Sequence, residues 1–193
     1  MDKKELESNE LLVNYHNYLL KQSWRGDLYR KFWLYPQINK RLQGKTLDIG
    51  CGTGHFLSFR ENTVGIDVNK FNVDYCSKQG LEAYHVGEKW PLEAESFDSA
   101  IMDNVLEHIE DPKGILEETK RVLKQGGILI IGVPAPAGYA WDKDHKIFYS
   151  EDKLQKTLEE CGFKKVEIFH MPVKSKFLEA KIKQYCYFGV FVK

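Results

Sequence analysis

Apolar residues recur along the chain in short runs that are separated by amphipathic segments. The runs predict strands at 45–49, 63–68, 82–86, 97–102, 128–133, 163–170 and 184–192. Apolar positions at helical spacing predict helices at 6–20, 55–61, 69–79, 115–123 and 151–161. Repeated β-α units, with a fifth strand that is apolar at nearly every position, indicate a parallel sheet covered on both faces. We therefore expect a doubly wound, three-layer α/β fold.

The first part of the chain is aromatic and precedes the α/β pattern. Tyr15 and Tyr18 fall at helical spacing, and several more aromatic residues follow before Pro36. At 193 residues the chain is expected to be a single domain, with residues 1–41 as a helical cap on a core of residues 42–193. The aromatic stripe is typical of a packing surface, and a lid over a ligand is the alternative.

Charge gives little support for a nucleic-acid partner, because 28 Lys and Arg residues balance 28 Asp and Glu residues. Residues 164–193 carry seven lysines and two glutamates. This segment favours either a solvated face or contact with an anionic substrate or a membrane surface. Met1–Glu10 lacks an apolar signal core, and no apolar run reaches the ~20 residues of a membrane span. We expect a cytoplasmic protein without stable membrane insertion.

The cysteines do not suggest a metal centre. Cys51, Cys76, Cys161 and Cys186 show neither a C-x-x-C motif nor any other metal-ligand spacing. They are expected to be reduced thiols, as in cytosolic proteins. The sequence therefore predicts no metal site.

The sharpest chemical signal is a glycine loop between the first strand of the α/β pattern and the next helix. Gly50, Gly52 and Gly54 alternate directly after the strand that ends at Ile49. Glycine permits a tight turn and lets backbone N–H groups approach a ligand at a helix start. The dinucleotide fingerprint G-x-G-x-x-G would place its third glycine where this chain has His55. The spacing argues against a nicotinamide-dependent oxidoreductase.

An acidic residue, Asp67, stands at the tip of the following strand. A carboxylate at this place can accept hydrogen bonds from both hydroxyls of a ribose. Alone this is weak evidence, but beside the glycine loop it becomes informative.

From about Leu42 to Phe169 the chain resembles the class I S-adenosylmethionine-dependent methyltransferases, especially the small subgroup that includes ubiquinone- and menaquinone-type enzymes. Five motifs occur in the family's order, at 47–54, 67–68, 86–89, 97–109 and 121–134. The resemblance implies a seven-stranded sheet whose last strand runs antiparallel to the rest. It also implies a cofactor, S-adenosylmethionine, at the carboxyl ends of the strands.

The resemblance further implies which residues hold this cofactor. They are Asp48, Gly50, Cys51, Gly52 and Gly54 in the glycine loop, Asp67 and Val68 at the ribose and adenine, Glu88 and Lys89 at the adenine edge, and Asn104 after the fourth strand. Glu88 stands where the family often has Asp.

Methyl transfer implies an in-line displacement by the acceptor atom, which the protein must align and, where that atom carries a proton, deprotonate. His145, in an aromatic loop after the fifth strand, is the candidate base, since relatives often carry a His shortly before the Ser that opens the next helix. The alternative is that His145 orders its loop. His108 and His55 are expected to have local structural roles.

The acceptor is expected to be a small molecule, with O-methylation favoured, because the sequence shows no appended recognition domain; the loop around His145 is aromatic. A ring, a quinone, a lipid-like molecule and a sugar all suit it. A protein or RNA methyltransferase is one alternative, although residues 103–106 lack the Asn/Asp-Pro-Pro-aromatic motif of amino-group methylation. An inactive S-adenosylmethionine-binding regulatory protein is the other.

Overall fold

Seven strands form one sheet within residues 3–21 and 23–193, the part of the chain that a computed structural model describes. Met1, Asp2 and Gln22, which belong to the predicted cap, lie outside the described residues. The strands are β1 (Thr46–Ile49), β2 (Thr63–Asp67), β3 (Ala83–His85), β4 (Phe97–Asp103), β5 (Leu123–Pro134), β6 (Lys164–Met171) and β7 (Cys186–Val192).

The sheet is mostly parallel, with the order β3-β2-β1-β4-β5-β7-β6. Parallel pairing joins β1 to β2 and β4, β2 to β3, and β4 to β5. β7 lies between β5 and β6 and is antiparallel to both. The predicted doubly wound sheet with an antiparallel last strand is therefore confirmed.

Helices cover both faces of the sheet. They are α1 (Lys3–Leu20), α2 (Trp24–Tyr29), α3 (Tyr35–Asn39), α4 (His55–Phe59), α5 (Lys70–Lys78), α6 (Lys113–Val122), α7 (Pro136–Tyr139), α8 (Glu151–Glu160) and α9 (Lys176–Glu179). Consecutive residues of β4 show the two faces: Ile101 packs in a cluster with Ile38 of α3, and Met102 in another with Leu116 of α6. This two-sided burial is the reason why the central strands are apolar along their whole length.

Successive strands are added on one side of β1 as far as β3 and on its other side from β4, so the direction in which the sheet grows reverses at β1. In open α/β sheets, ligands bind outside the carboxyl ends of the strands at such a switch point. The loops after β1, β2 and β4 all meet there. The fold thus places the glycine loop and Asp67 at the usual ligand crevice.

Several boundaries differ from the sequence-based prediction, and two of the differences are large. The aromatic segment before Pro36, for which no individual helix was predicted, is helical and continues to Asn39 after a π-helical turn at Arg30–Leu34. Pro36 is tolerated because it lies in the first turn of α3, where a missing N–H breaks no helical hydrogen bond. β5 starts at Leu123 instead of 128, since Leu123 already pairs with Phe97 before the register shifts.

Within the described residues, no helix combines the length and the apolar character that a membrane span requires.

Candidate active site

The glycine loop lies between β1 and α4, at the carboxyl edge of the sheet. Gly50, Gly52 and Gly54 have φ angles of 74°, 53° and 79°, in the left-handed region that side chains disfavour. A Cβ atom on Gly54 would also meet the sulfur of Cys76 at 2.9 Å. The backbone N–H of Gly50 donates to the Ile66 carbonyl at 2.8 Å, which ties the loop to the end of β2. The loop conformation therefore depends on glycine.

Asp67 holds this loop from the neighbouring strand. Its Oδ2 accepts from the backbone N–H of Gly52 at 2.8 Å and from Asn72 Nδ2 at 3.3 Å, and its Oδ1 accepts from the N–H of Asn69 at 2.7 Å. Burial raises the pKa of Asp67, and these hydrogen bonds oppose the rise. A carboxylate offers about four acceptor positions. Three are used within the chain, which leaves about one for a ligand.

The other predicted residues near this loop differ in exposure. Asp48 and Cys51 are buried. Burial, with the nearby carboxylates of Asp103 and Asp67, raises the pKa of Asp48 well above its usual range. Val68, in contrast, is 66% exposed at the tip of β2, where a flat ring has room to pack against it.

Glu88 and Lys89 are exposed in the segment after β3. Within the described residues neither forms a hydrogen bond to the glycine loop. The pKa of Glu118 is lowered mainly by Arg121 and more weakly by Lys89, so the Lys89 side chain acts on Glu118. Their predicted place at an adenine edge stays a prediction.

The loop after β4 lies at the same carboxyl edge of the sheet as the glycine loop. Asn104 has a φ of 54° and its Nδ2 donates to Asp103 Oδ1 at 2.8 Å. The next residue, Val105, lies so close to Gly50 that a Cβ there would meet its Cγ2 at 2.5 Å. The segments that carry the predicted cofactor residues Gly50, Asp67 and Asn104 therefore converge.

Helix α1 lies across this convergence. The backbone carbonyl of Leu12 accepts from Asn69 Nδ2, and His16 Nδ1 lies 2.8 Å from Asn72 Oδ1. The Leu19 side chain reaches within 3.3 Å of the position that a Cβ of Gly52 would take. α1 thus contacts the same residues that hold Asp67.

Tyr15 of α1 lies within electrostatic range of two parts of the crevice, although its side chain is 48% exposed. Partial burial raises its pKa to about 12, and the carboxylates of Asp67, Asp142 and Glu107 add to the rise. Asp67 lies on the glycine-loop side, and Asp142 lies in the loop after β5.

A second group of polar side chains lies on the β5 side of the crevice. Glu107 and His108 occupy a short 3-10 turn after β4 (Leu106–His108), and His145 comes from the loop after β5. One potential ligand atom from each lies within 4.8 Å of the others. We call these three residues the Glu-His-His cluster.

Backbone hydrogen bonds hold the two halves of this cluster together. The carbonyl of Glu107 accepts from the N–H groups of Lys146 and Ile147 at 2.8 and 3.0 Å. Within its own loop, His145 Nδ1 lies 2.9 Å from the carbonyl of Tyr139, and the two rings stack with centroids 5.3 Å apart. Because a carbonyl only accepts, Nδ1 carries the proton and Nε2 has the free lone pair. The hydrogen bond at Nδ1 and the stacked Tyr139 ring therefore fix the orientation of the His145 imidazole.

The cluster is strongly desolvated. Glu107 is fully buried, and in the described part of the chain neither of its carboxylate oxygens has a hydrogen-bond partner. Burial raises its pKa to about 8, and Asp103 and Asp142 contribute to the rise. Burial likewise raises the pKa of Asp103 to about 6 and lowers that of His108.

Sequence reasoning missed Glu107 and the asparagines that hold Asp67, whereas Tyr15 already stood in the aromatic stripe for which a lid was the alternative. The available signal for Glu107 was an acidic residue in an otherwise apolar turn directly after a buried strand. His55, in contrast, lies away from the cluster at the start of α4, 3.9 Å from Asp27, and burial lowers its pKa. His108 was expected to have a structural role, but the structure places its ring 4.8 Å from that of His145.

Residues 47–131 match a protein-family model described as a methyltransferase domain. The chain is 34% identical over 137 residues to an uncharacterised protein of Methanocaldococcus jannaschii, and the match covers 65% of this chain and 67% of that protein. It is 29% identical over 151 residues to the ubiquinone biosynthesis O-methyltransferase of Dinoroseobacter shibae, and this match covers 64% of the chain and 61% of the enzyme. It spans less than half the length of similar uncharacterised mycobacterial proteins, 46% in each.

The fold is also similar to that of a crystal structure from Thermotoga maritima, described as a SAM-dependent methyltransferase and possible histamine N-methyltransferase. The TM-score is 0.72 with 21% sequence identity, and the similarity covers 96% of this chain and 97% of that one. Because only 21% of the residues are identical, this similarity shows a shared fold and carries no information about the substrate.

Proposed function

The chain belongs to the class I S-adenosylmethionine-dependent methyltransferases, and from this premise we propose that it methylates a hydroxyl group of a small molecule. S-adenosylmethionine is the cofactor of this family. The observation that carries the proposal is the close approach of Val105 to Gly50, which brings the turn with Glu107 and His108 next to the glycine loop. The cofactor and an acceptor would therefore meet beneath α1.

The residues of the crevice fit this cofactor. The left-handed glycines keep the loop free of side chains, Asp67 retains an acceptor position for a ribose hydroxyl, and Val68 exposes an apolar surface for the adenine. We assign the cofactor site to Asp48, Gly50, Cys51, Gly52, Gly54, Asp67, Val68, Glu88, Lys89 and Asn104. The last three extend it to the adenine edge and to the loop after β4.

Bound S-adenosylmethionine supplies a methyl group on a positively charged sulfur. The acceptor oxygen bonds to the methyl carbon as the carbon–sulfur bond breaks, the sulfur keeps the electron pair, and the hydroxyl proton is released. The chain's task is to hold the acceptor in line and to promote loss of that proton. We assign the second task to His145, whose Nε2 faces the cluster while Nδ1 is held by Tyr139.

Two features support a small hydroxylated acceptor. The loop after β5 is aromatic, since Tyr139 stacks on His145 and meets Phe148 edge to face. Such rings suit a flat apolar molecule with a single polar group. The Dinoroseobacter shibae relative is named as an O-methyltransferase, which favours oxygen as the acceptor atom. Methylation of protein or RNA is the second candidate activity, and cofactor binding without catalysis is the third.

An acceptor panel tests this proposal directly. Purified protein is incubated with S-adenosylmethionine and phenols, hydroquinones, hydroxylated lipids, sugars, amines, peptides or RNA, and formation of S-adenosylhomocysteine is measured. We expect turnover with at least one hydroxylated small molecule. Turnover confined to peptide, RNA or amine acceptors would contradict the proposal, and cofactor binding without any turnover would favour a regulatory protein.

We also propose that residues 1–41 are a lid on the core of residues 42–193. The double variant His16→Ala, Leu19→Ser should bind S-adenosylhomocysteine ~30-fold more weakly, because it removes one hydrogen bond and one apolar contact, each worth ~1 kcal/mol. Calorimetric titration measures the change. Tyr18→Ala, which alters an exposed residue of the same helix, is the matched control. Unchanged affinity in the double variant would exclude a lid that closes on the bound cofactor.

A further inference from the structure

Glu107 poses a problem that the methyl-transfer proposal alone does not solve. It is fully buried, and within residues 3–21 and 23–193 its two carboxylate oxygens have no hydrogen-bond partner. The nearest ring nitrogen, Nε2 of His145, lies 3.8 Å from Oε1, which is too long for a hydrogen bond. A buried polar group without a partner costs several kcal/mol, and an unseen ion is one of its recognised explanations.

We propose that Glu107, His108 and His145 bind a divalent transition-metal ion, of which zinc is the type. The catalytic role that we give this ion rests on the proposed function, whereas its binding does not. The donor atoms lie within 4.8 Å of one another, so a single ion can contact all three after small side-chain movements.

The surroundings of His145 are those of a metal ligand. Its Nδ1–H is directed at the Tyr139 carbonyl at 2.9 Å, and the stacked Tyr139 ring limits rotation of the imidazole. Metal-bound histidines almost always donate their second ring N–H to a carbonyl or a carboxylate, which fixes the tautomer. His145 therefore presents Nε2 with its lone pair toward Glu107.

Charge in the crevice also favours a cation. Asp103 and Asp142 are the charged groups that act on Glu107 from the neighbouring segments, and both are acidic. Among the described residues, Glu107 forms no ion pair with a lysine or an arginine. A divalent ion would supply the counter-charge that the protein does not.

The donor set selects the kind of ion. Two imidazoles and one carboxylate are the ligands of catalytic zinc sites that keep a further position open for water or substrate. Magnesium prefers oxygen ligands in an octahedral arrangement and should bind poorly here. In an open position, the ion would hold the acceptor hydroxyl and lower its pKa, so that the proton leaves to solvent before the oxygen accepts the methyl group. With the ion bound, Nε2 of His145 is a ligand, so His145 promotes proton loss through the ion and not as a free base.

Metal titration of the full-length protein tests the inference without any acceptor. Protein stripped with a chelator is titrated with Zn²⁺, Co²⁺ and Mg²⁺, and Co²⁺ binding is followed by its visible absorption. We expect one Zn²⁺ or Co²⁺ per chain, competition between these two ions, and no displacement by Mg²⁺. Failure of the wild-type protein to bind Zn²⁺ or Co²⁺ at this stoichiometry would overturn the inference.

Variants locate the ion. Glu107→Gln and His145→Ala should each weaken Co²⁺ binding by more than the ~10–100-fold that loss of an outer-shell partner costs. His85→Ala removes an exposed histidine elsewhere and should leave it unchanged. Thermal unfolding and S-adenosylhomocysteine titration on the same samples check that the variants are folded. Equal metal binding in His145→Ala and wild type would place the ion elsewhere and contradict the assignment.

The two proposals fail separately. Turnover with a hydroxylated acceptor that persists in metal-free protein would refute the catalytic role of the ion and leave the methyltransferase proposal standing, whereas failure to bind Zn²⁺ or Co²⁺ would refute the site itself. Stoichiometric binding of Zn²⁺ at the Glu-His-His cluster, with no turnover of any hydroxylated acceptor, would support the site and refute the proposed reaction.

Discussion

Replacing Asp67 with alanine is expected to weaken S-adenosylhomocysteine binding by at least ~100-fold. The substitution removes the acceptor proposed for the ribose and also the anchor of the backbone N–H groups of Gly52 and Asn69, which it holds at 2.8 and 2.7 Å. A hydrogen bond to a charged group contributes ~1.5–3 kcal/mol, and ~1.4 kcal/mol corresponds to a tenfold change in affinity. Loss of the ribose bond accounts for about one to two decades, and loss of the loop geometry brings the expected effect to at least ~100-fold.

Calorimetric titration of wild type and variant measures this loss. Asp74→Ala is the matched control, because it removes the same charge from an exposed position on α5. Thermal unfolding of both variants separates a local loss of binding from a general loss of structure. If the folded Asp67→Ala protein bound the ligand as tightly as the control, the assignment of Asp67 to the ribose would be wrong.

Replacing His145 with alanine is expected to reduce turnover by ~10²–10⁴-fold, the range for loss of a positioned group that promotes proton transfer. The affinity for S-adenosylhomocysteine should change little, because within the described residues His145 contacts Tyr139, His108 and Glu107 and none of the glycine loop. Initial rates with an acceptor identified from the panel, measured at saturating cofactor, give the effect on turnover.

The variant His145→Asn separates a chemical role from loop ordering. Asparagine retains an N–H donor that can reach the Tyr139 carbonyl, which His145 Nδ1 contacts at 2.9 Å, but it has no second ring nitrogen to face the Glu-His-His cluster. If His145 only orders its loop, asparagine should restore most of the turnover. Activity as low in His145→Asn as in His145→Ala would support the chemical role.

Much of the fold was predictable because it depends on local patterns. The apolar runs and their turn residues mark each strand, and alternation with helices is enough to predict a parallel sheet. The glycine loop and Asp67 were likewise predictable, since each follows directly on a strand and the crevice rule places both at one edge. The antiparallel seventh strand came from the family resemblance, because no residue of Cys186–Val192 encodes its direction.

Other features depend on contacts between distant parts of the chain. The Glu-His-His cluster joins Glu107 to His145 through hydrogen bonds from Lys146 and Ile147 to the Glu107 carbonyl. The lid contact joins His16 to Asn72, 56 residues away. Local periodicity reports which face of a segment is buried, and it contains no information about which polar side chains meet across a crevice.

The sequence by itself thus determined the strands along the chain up to β5, the position of the glycine loop and the acid at the tip of β2, because these follow from hydrophobic burial and backbone geometry within a few residues. Only the tertiary structure decided that Glu107 is buried without a partner among the described residues, that His145 turns Nε2 toward it, and that Val105 lies against Gly50 of the glycine loop. Desolvation and side-chain convergence are properties of the packed chain, since they arise only when loops from different strands close on one another.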